Sequence, residues 1–178
     1  MILDGRQKKN LEMAVELIRA GEIVGFPTET VYGLGGDALS EIALEKIFLA
    51  KGRPHSDPLI LHVASHEQLS QIAEEVTHEA RVLISKFWPG PLTLILRKKA
   101  VVPGLVTAGL NTVAVRMPRH LIALALIKNA NRVIAAPSAN RFQSLSPTTA
   151  IAVEKELGDR IQLILDGGPC QSPLPSLA

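Results

Sequence analysis

Short apolar runs of five or six residues alternate with longer segments of helical periodicity along almost the whole chain. This alternation most restricts the folds open to it. Glu22–Phe26, Leu59–Val63, Leu92–Leu96, Thr112–Met117, Arg132–Ala136 and Ile161–Leu165 read as strands. Between them, Leu11, Ala14, Val15, Leu17 and Ile18 keep helical spacing up to Gly21, which suits the position after a helix end. Ser40 is placed to cap a helix running to Ala50, and Ser65 with Gln68 forms a capping-box pattern. Thr77 opens a helix that ends near Trp88, and Arg119–Asn129 is another. Ser146, followed by Pro147 in the favoured first position, starts a further one. Pro27–Gly36, Val101–Gly109 and Pro137–Leu145 read as loops. Strands interleaved with helices predict an α/β domain built on a mixed sheet.

A core for such a domain has to be aliphatic, because aromatics are only 3% of the 178 residues. The same scarcity argues against nucleic-acid bases stacking on aromatic platforms. Cys170 is the single cysteine, so an intrachain disulfide and a cysteine zinc site are both excluded. The five histidines do not fall at metal-ligand spacing. Met1–Arg19 mixes charges with apolar residues, unlike a signal peptide, and the apolar stretch Leu121–Ile127 is too short to span a membrane. A cytoplasmic protein without a membrane segment is the expectation.

The net charge is only +2, but the charges are unevenly placed. From Ala80 to Val153 there is no Asp or Glu, and the same stretch holds Arg81, Lys86, Arg97, Lys98, Lys99, Arg116, Arg119, Lys128, Arg132 and Arg141. One reading is a solvated face of cations. The other is a positive cleft almost free of carboxylates that holds an anion, either a nucleotide or RNA.

Three polar loops carry more donors and acceptors than turns require. In Pro27-Thr28-Glu29-Thr30-Val31-Tyr32-Gly33-Leu34-Gly35 the glycines allow close backbone approach. In Lys51-Gly52-Arg53-Pro54 a point charge and a planar fork can converge on one anion at a helix C-terminus; plain capping by cations is the alternative. His62 closes the following apolar run, as a core histidine or as a ligand. Pro137-Ser138-Ala139-Asn140 follows a buried-type strand, where open α/β sheets place ligands, and the helix begun at Ser146 would offer free N–H groups. No Walker loop, dinucleotide fingerprint or nucleophile elbow is present. An enzyme built this way works by positioning and charge neutralisation.

These segments resemble the YrdC-like domain of threonylcarbamoyl-AMP synthases. The resemblance rests on the loops just described and on Pro58-Leu59-Ile60. It also rests on Phe87-Trp88-Pro89-Gly90-Pro91-Leu92-Thr93, Thr112–Pro118, Ala136–Asn140 and Asp166-Gly167-Gly168-Pro169, all in the family's order. It implies a YrdC-like twisted mixed β-sheet with flanking helices and a positively charged concave face, over a domain at 4–170 with an atypical tail at 171–178. It also implies a nucleotidyltransferase that makes threonylcarbamoyl-AMP and pyrophosphate from L-threonine, bicarbonate and ATP. Mg²⁺ would be held by the phosphates, without metal ligands from the protein. A downstream threonylcarbamoyl transferase complex would then modify adenosine 37 of tRNA. Carried over by motif, Lys51, Arg53, Asp57, Thr112, Asn140, Ser146 and Thr148 are expected to contact ATP. Thr30, His62, Arg116 and Ser138 are expected to contact threonine.

Two departures stand out. Asp57 occupies a position that is commonly Asn in the family, adding a negative charge near ATP. After Cys170 the family usually continues into a Ser-Thr-containing strand that returns to the site, whereas here Gln171–Ala178 contains two prolines. A shortened chain with reduced or no activity is therefore expected. The competing expectation is an RNA-binding YrdC-like module, with tRNA as partner, that lacks synthase activity.

Overall fold

A computed structural model describes residues 1–171. The expectation for the tail beyond Gln171 lies outside the described residues. The elements run β1 (Ile2–Asp4), α1 (Lys8–Arg19), β2 (Val24–Phe26), β3 (Gly33–Asp37), α2 (Glu41–Lys51), β4 (Ile60–His62), α3 (His66–Ile72) and α4 (His78–Phe87). They continue with β5 (Thr93–Arg97), α5 (Gly104–Thr107), β6 (Thr112–Arg116), α6 (Leu121–Ala130), β7 (Ile134–Ala135), α7 (Ala150–Leu157) and β8 (Leu163–Asp166). The strands form one sheet in the order β1-β8-β2-β3-β7-β4-β6-β5. It is mixed, as expected: β1–β8, β2–β8 and β4–β6 are parallel and the remaining pairs antiparallel.

Both sheet faces carry aliphatic cores. On one face α1 and α6 pack Ala14, Ile18, Leu126 and Ile127 against Val24, Phe26, Leu163 and Leu165. On the other, residues from α2, α3, α4 and α7 such as Leu44, Ile47, Ile72, Ile84 and Leu157 meet Leu34, Leu61, Val113 and Val115. Each of the larger side chains among them stabilises the fold by about 1.5–3 kcal/mol of transfer free energy. On the α1/α6 face the cover is incomplete. Ile95 on β5 is 64% exposed, and its cross-strand neighbour Ala114 and the next strand's Ile60 are partly exposed. Residues 60, 62, 114 and 116 therefore share a bare stretch of sheet, and that stretch floors the cleft described below.

Several local expectations differ from the structure for physical reasons. Gly33–Asp37, read as loop, is a strand paired with β2 and β7. Its glycines suppress the strand signal but are needed sterically. A Cβ on Gly35 would stand 2.6 Å from Phe26 Cε1 and 2.9 Å from Ile134 Cγ2. β1 went unread because three residues give no periodicity, and α5 is a single short turn inside an expected loop. The last helix starts at Ala150, capped by the Thr149 hydroxyl accepting from Ala152 N at 3.2 Å, rather than at Ser146. Pro147 instead gives its carbonyl to Tyr32 N at 2.8 Å. Ser65 caps α3 as expected, but Gln68 Oε1 reaches back to Ala64 N (2.7 Å), one residue further than a capping box requires.

Candidate functional site

A cleft of about 290 Å³ opens over the bare sheet. Its walls are the β2–β3 loop (Thr28, Thr30, Val31, Gly33), the segment before β4 (Arg53, Pro58) and the loop after β7 (Pro137, Ser138, Ser146), with Ile60, His62, Arg116 and Ala136 below. The loops are tied to one another by Leu34 N to Pro137 O (2.9 Å) and Ala139 N to Tyr32 O (2.8 Å). β4 runs along the floor and gives the cleft two ends. Ile60 pairs with Ala114 and His62 with Arg116, so Arg116, Thr30 and His62 mark one end. Arg53 and Pro58, which precede β4, mark the other with Ser138 and Ser146. Four residues separate Pro58 at one end from His62 at the other, roughly 13 Å along an extended chain.

At the first end, Thr28 shapes the loop. Its hydroxyl donates to Val31 O (2.6 Å) and accepts from Thr30 N and Val31 N (both 3.2 Å). That turn presents Thr30 Oγ1 to Arg116 Nη2 at 3.2 Å. The Arg116 guanidinium is buried, yet it is not alone. Nε donates to Gly90 O (3.3 Å) and Nη2 stands 2.8 Å from Glu29 Oε1. Glu29 Oε2 in turn accepts from Arg119 N at 3.1 Å. Nη1 has no protein partner among the described residues.

His62 is 4% exposed, between Phe26, edge-on at 6.3 Å, and Arg116 on the next strand. Burial, and then repulsion from Arg116, push its pKa down to about 3, so the ring is neutral at physiological pH. Its Nδ1 has no hydrogen-bond partner among the described residues. Since the folded form refuses a proton that the unfolded form accepts below about 6.5, stability falls as pH drops from 6.5 towards 3. At pH 5 this amounts to about 2 kcal/mol. Urea unfolding of His62→Gln should therefore show a smaller stability difference between pH 7 and pH 5 than the parent chain, by about that amount.

At the second end, Gly52 takes the left-handed conformation (φ 62°) and turns the chain at the end of α2 so that Arg53 faces the cleft. Arg53 Nη2 pairs with Asp57 Oδ2 (2.9 Å) and donates to Pro58 O (2.8 Å), and Nε donates to Asp57 O (3.2 Å). The departure at Asp57 is thus matched by a cation. Lys51 does not line the cleft. It is buried, and its ammonium donates to the carbonyls of Ser138 and Asn140. Burial and the neighbouring Arg53 bring its pKa down to about 8, so it remains mostly protonated at pH 7. Asn140 is buried behind the same loop, donating to Arg141 O and Ser144 O (both 2.7 Å). Thr112 sits at the far end of β6 from Arg116, and Thr148 gives its carbonyl to Cys170 N (2.9 Å). The fold thus brings together Thr30, Arg53, His62, Arg116, Ser138 and Ser146 at the cleft surface, and leaves Lys51, Asp57, Thr112, Asn140 and Thr148 outside its lining.

The cleft lining holds no Asp or Glu, but the acid-free run does not stay apart from acids in space. Arg97, Arg116, Arg132 and Arg141 of the acid-free run each meet an acid from outside it: Glu74, Glu29, Asp37 and Asp159. A gap in acidic residues along the chain is not a gap in space, because β3, β7 and β4 interleave early and late segments. From the sequence, Glu29 and Tyr32 read as donors and acceptors of the first loop, without a role of their own in the site. Tyr32 is fully buried, its one hydroxyl proton within reach of both Gly168 O (2.8 Å) and Asp166 Oδ1 (3.1 Å) while the oxygen accepts from Gly167 N (3.2 Å), which latches the Asp166–Gly168 turn to the cleft loop. An available signal for Glu29 was a single acid in a loop of Thr, Val and Pro, where burial demands a cation.

A family model named Sua5/YciO/YrdC, described as "Telomere recombination", matches residues 16–177. The threonylcarbamoyl-AMP synthase of Pyrococcus abyssi is 55% identical over 158 residues, covering 89% of this chain and 46% of that protein. The synthase of Bacillus subtilis is 50% identical over 160 residues, with the same coverages. The chain thus spans about half the length of these curated relatives. The synthase of Idiomarina loihiensis is 36% identical and is covered over 84% of its length. Among solved structures, P. abyssi Sua5 complexed with L-threonine superposes with a TM-score of 0.96 at 50% identity, covering 99% of this chain and 53% of that one. Escherichia coli YciO gives 0.82 at 25% identity, covering 95% and 82%.

Proposed function

The chain belongs to the Sua5/YciO/YrdC family, and we propose that its cleft forms threonylcarbamoyl-AMP and pyrophosphate from L-threonine, bicarbonate and MgATP. The observation that carries this reading is the pair of arginines at opposite ends of one cleft. Each is tethered through Nε and Nη2, and each has an Nη1 edge without a protein partner among the described residues. One anion fits each end. The threonine complex of P. abyssi Sua5 supports a threonine site here, and the synthase names of the relatives support the reaction.

In this reading Arg116 and Thr30 take the substrate carboxylate. His62, neutral, borders the threonine end of the cleft; with a pKa about 3 it is too weak a base to carry a proton at pH 7. The amine and bicarbonate give a carbamate and water. The carbamate oxygen attacks the α-phosphorus, forming the new P–O bond as the bond to pyrophosphate breaks. Two unit charges at 4 Å repel by about 4 kcal/mol in a half-dry site. Arg53 at the phosphate end offsets this, with Ser138 at the same end. Mg²⁺ enters with the nucleotide, held by its phosphates. The product is a mixed anhydride whose consumer is a transferase acting on adenosine 37 of tRNA. No helix among the described residues is long and apolar enough to cross a membrane, and we place the reaction in the cytoplasm.

The decisive experiment is pyrophosphate release by the purified chain with ATP, Mg²⁺, bicarbonate and L-threonine. Release that depends on threonine supports the reading, and threonine-independent release or none overturns it. Arg53→Ala should raise the Kd for ATP at least about tenfold, as loss of a charge-assisted hydrogen bond of 1.5–3 kcal/mol implies, and leave the Kd for threonine within about twofold. An unchanged ATP Kd would remove Arg53 from the phosphate site.

A further inference from the structure

We propose that Glu29 is a positioning residue for substrate. It fixes the rotation of the Arg116 guanidinium so that its Nη1 edge, and no other, faces the cleft. This rests on the reading of Arg116 as the carboxylate site. A guanidinium has five N–H donors and a long stem with several rotamers, so an arginine alone does not define one geometry. Here three contacts do. Gly90 O accepts from Nε, Thr30 Oγ1 accepts from Nη2, and Glu29 Oε1 lies 2.8 Å from Nη2. Thr30 belongs to the cleft loop and Gly90 to the turn before β5, and both offer neutral acceptors. Glu29 is the only charged one of the three.

Glu29 is anchored independently of Arg116. Its second oxygen accepts from Arg119 N at 3.1 Å, which fixes the carboxylate to the chain leaving β6. It is 3% exposed and does not line the cleft, so it cannot touch substrate directly. Its action therefore runs through Arg116. Oε1 has no hydrogen bond aligned with it, although the charges are in contact. Glu29 thus holds Arg116 by charge without occupying an N–H in an optimal bond. The fork stays able to bind a ligand, and the buried pair is neutral before the ligand arrives.

The test is the pair of dissociation constants, for L-threonine and for ATP, measured calorimetrically on the full chain. In Glu29→Gln the shape and the acceptor for Arg119 N remain while the charge is lost. The Kd for L-threonine should rise roughly tenfold or more, as expected when an arginine loses its fixed geometry, with the Kd for ATP within about twofold. Glu29→Asp, which keeps the charge but withdraws it by one methylene, should give a smaller selective loss and serves if the glutamine variant does not fold. Because Glu29 acts through Arg116, adding Glu29→Gln to Arg116→Gln should weaken threonine binding no further than Arg116→Gln alone. A folded Glu29→Gln or Glu29→Asp with parental threonine affinity overturns the proposal. So does equal weakening of both ligands, which is what a merely structural residue would give. If the parent chain itself does not bind threonine, the assignment of the cleft fails instead.

Discussion

Replacing Arg116 by lysine should raise the Kd for L-threonine by about 10–100-fold while leaving ATP affinity within about twofold, a loss of about 1.4–2.8 kcal/mol. Lysine keeps the positive charge, so Glu29 is not left buried without a cation. It has no fork, and one ammonium cannot serve Gly90 O, Thr30 Oγ1, Glu29 and a ligand carboxylate together. Arg116→Ala is the harsher change. It strands Glu29 as a buried carboxylate and should cost about 3–5 kcal/mol of folding free energy, readable by urea unfolding, in addition to the lost ligand contact. A lysine variant that binds threonine like the parent would show that charge alone, rather than the fork, does the work.

Lys51→Met should lower the unfolding free energy by about 2–6 kcal/mol and weaken ATP binding at the same time. Methionine matches the length of the stem but leaves the carbonyls of Ser138 and Asn140 buried without their donor, at about 1–3 kcal/mol each. The loop that carries Ser138 to the cleft then loses its anchor. Denaturant unfolding and nucleotide titration of the same variant separate two roles. If ATP affinity falls while stability is unchanged, Lys51 is a phosphate ligand. If both fall together, it clamps the loop, as its burial and hydrogen bonds indicate. Arg53→Ala is the control, because Arg53 lines the cleft itself.

The residues around Lys51 and Arg53 show where reading a chain succeeds and where it stops. Gly52 between them marked a helix end, and the helix does end there in a left-handed residue. That each cation points to a different environment, one into the protein and one into the cleft, depends on where the loop after β7 comes to lie. Ser40, Ser65 and Thr77 were legible as caps because a cap concerns a hydroxyl and an N–H three residues on. Ser146 misled because the same signal, Ser followed by Pro, fits a loop whose carbonyls serve another segment.

By itself the sequence determined the alternation of strands and helices, the aliphatic character of the core, and the loops from which the cleft is built. These follow from periodicity and from contacts within about four residues, which the order of side chains dictates. Only the tertiary structure decided that β3 is a strand, that α1 and α6 leave the β4–β6–β5 end of one face bare, and that the acid-free run meets its acids in space. Each depends on strand order, which joins residues far apart in the chain. Glu29 and Arg116 become partners only because β4, β6 and β7 bring the early loop over the end of a later strand.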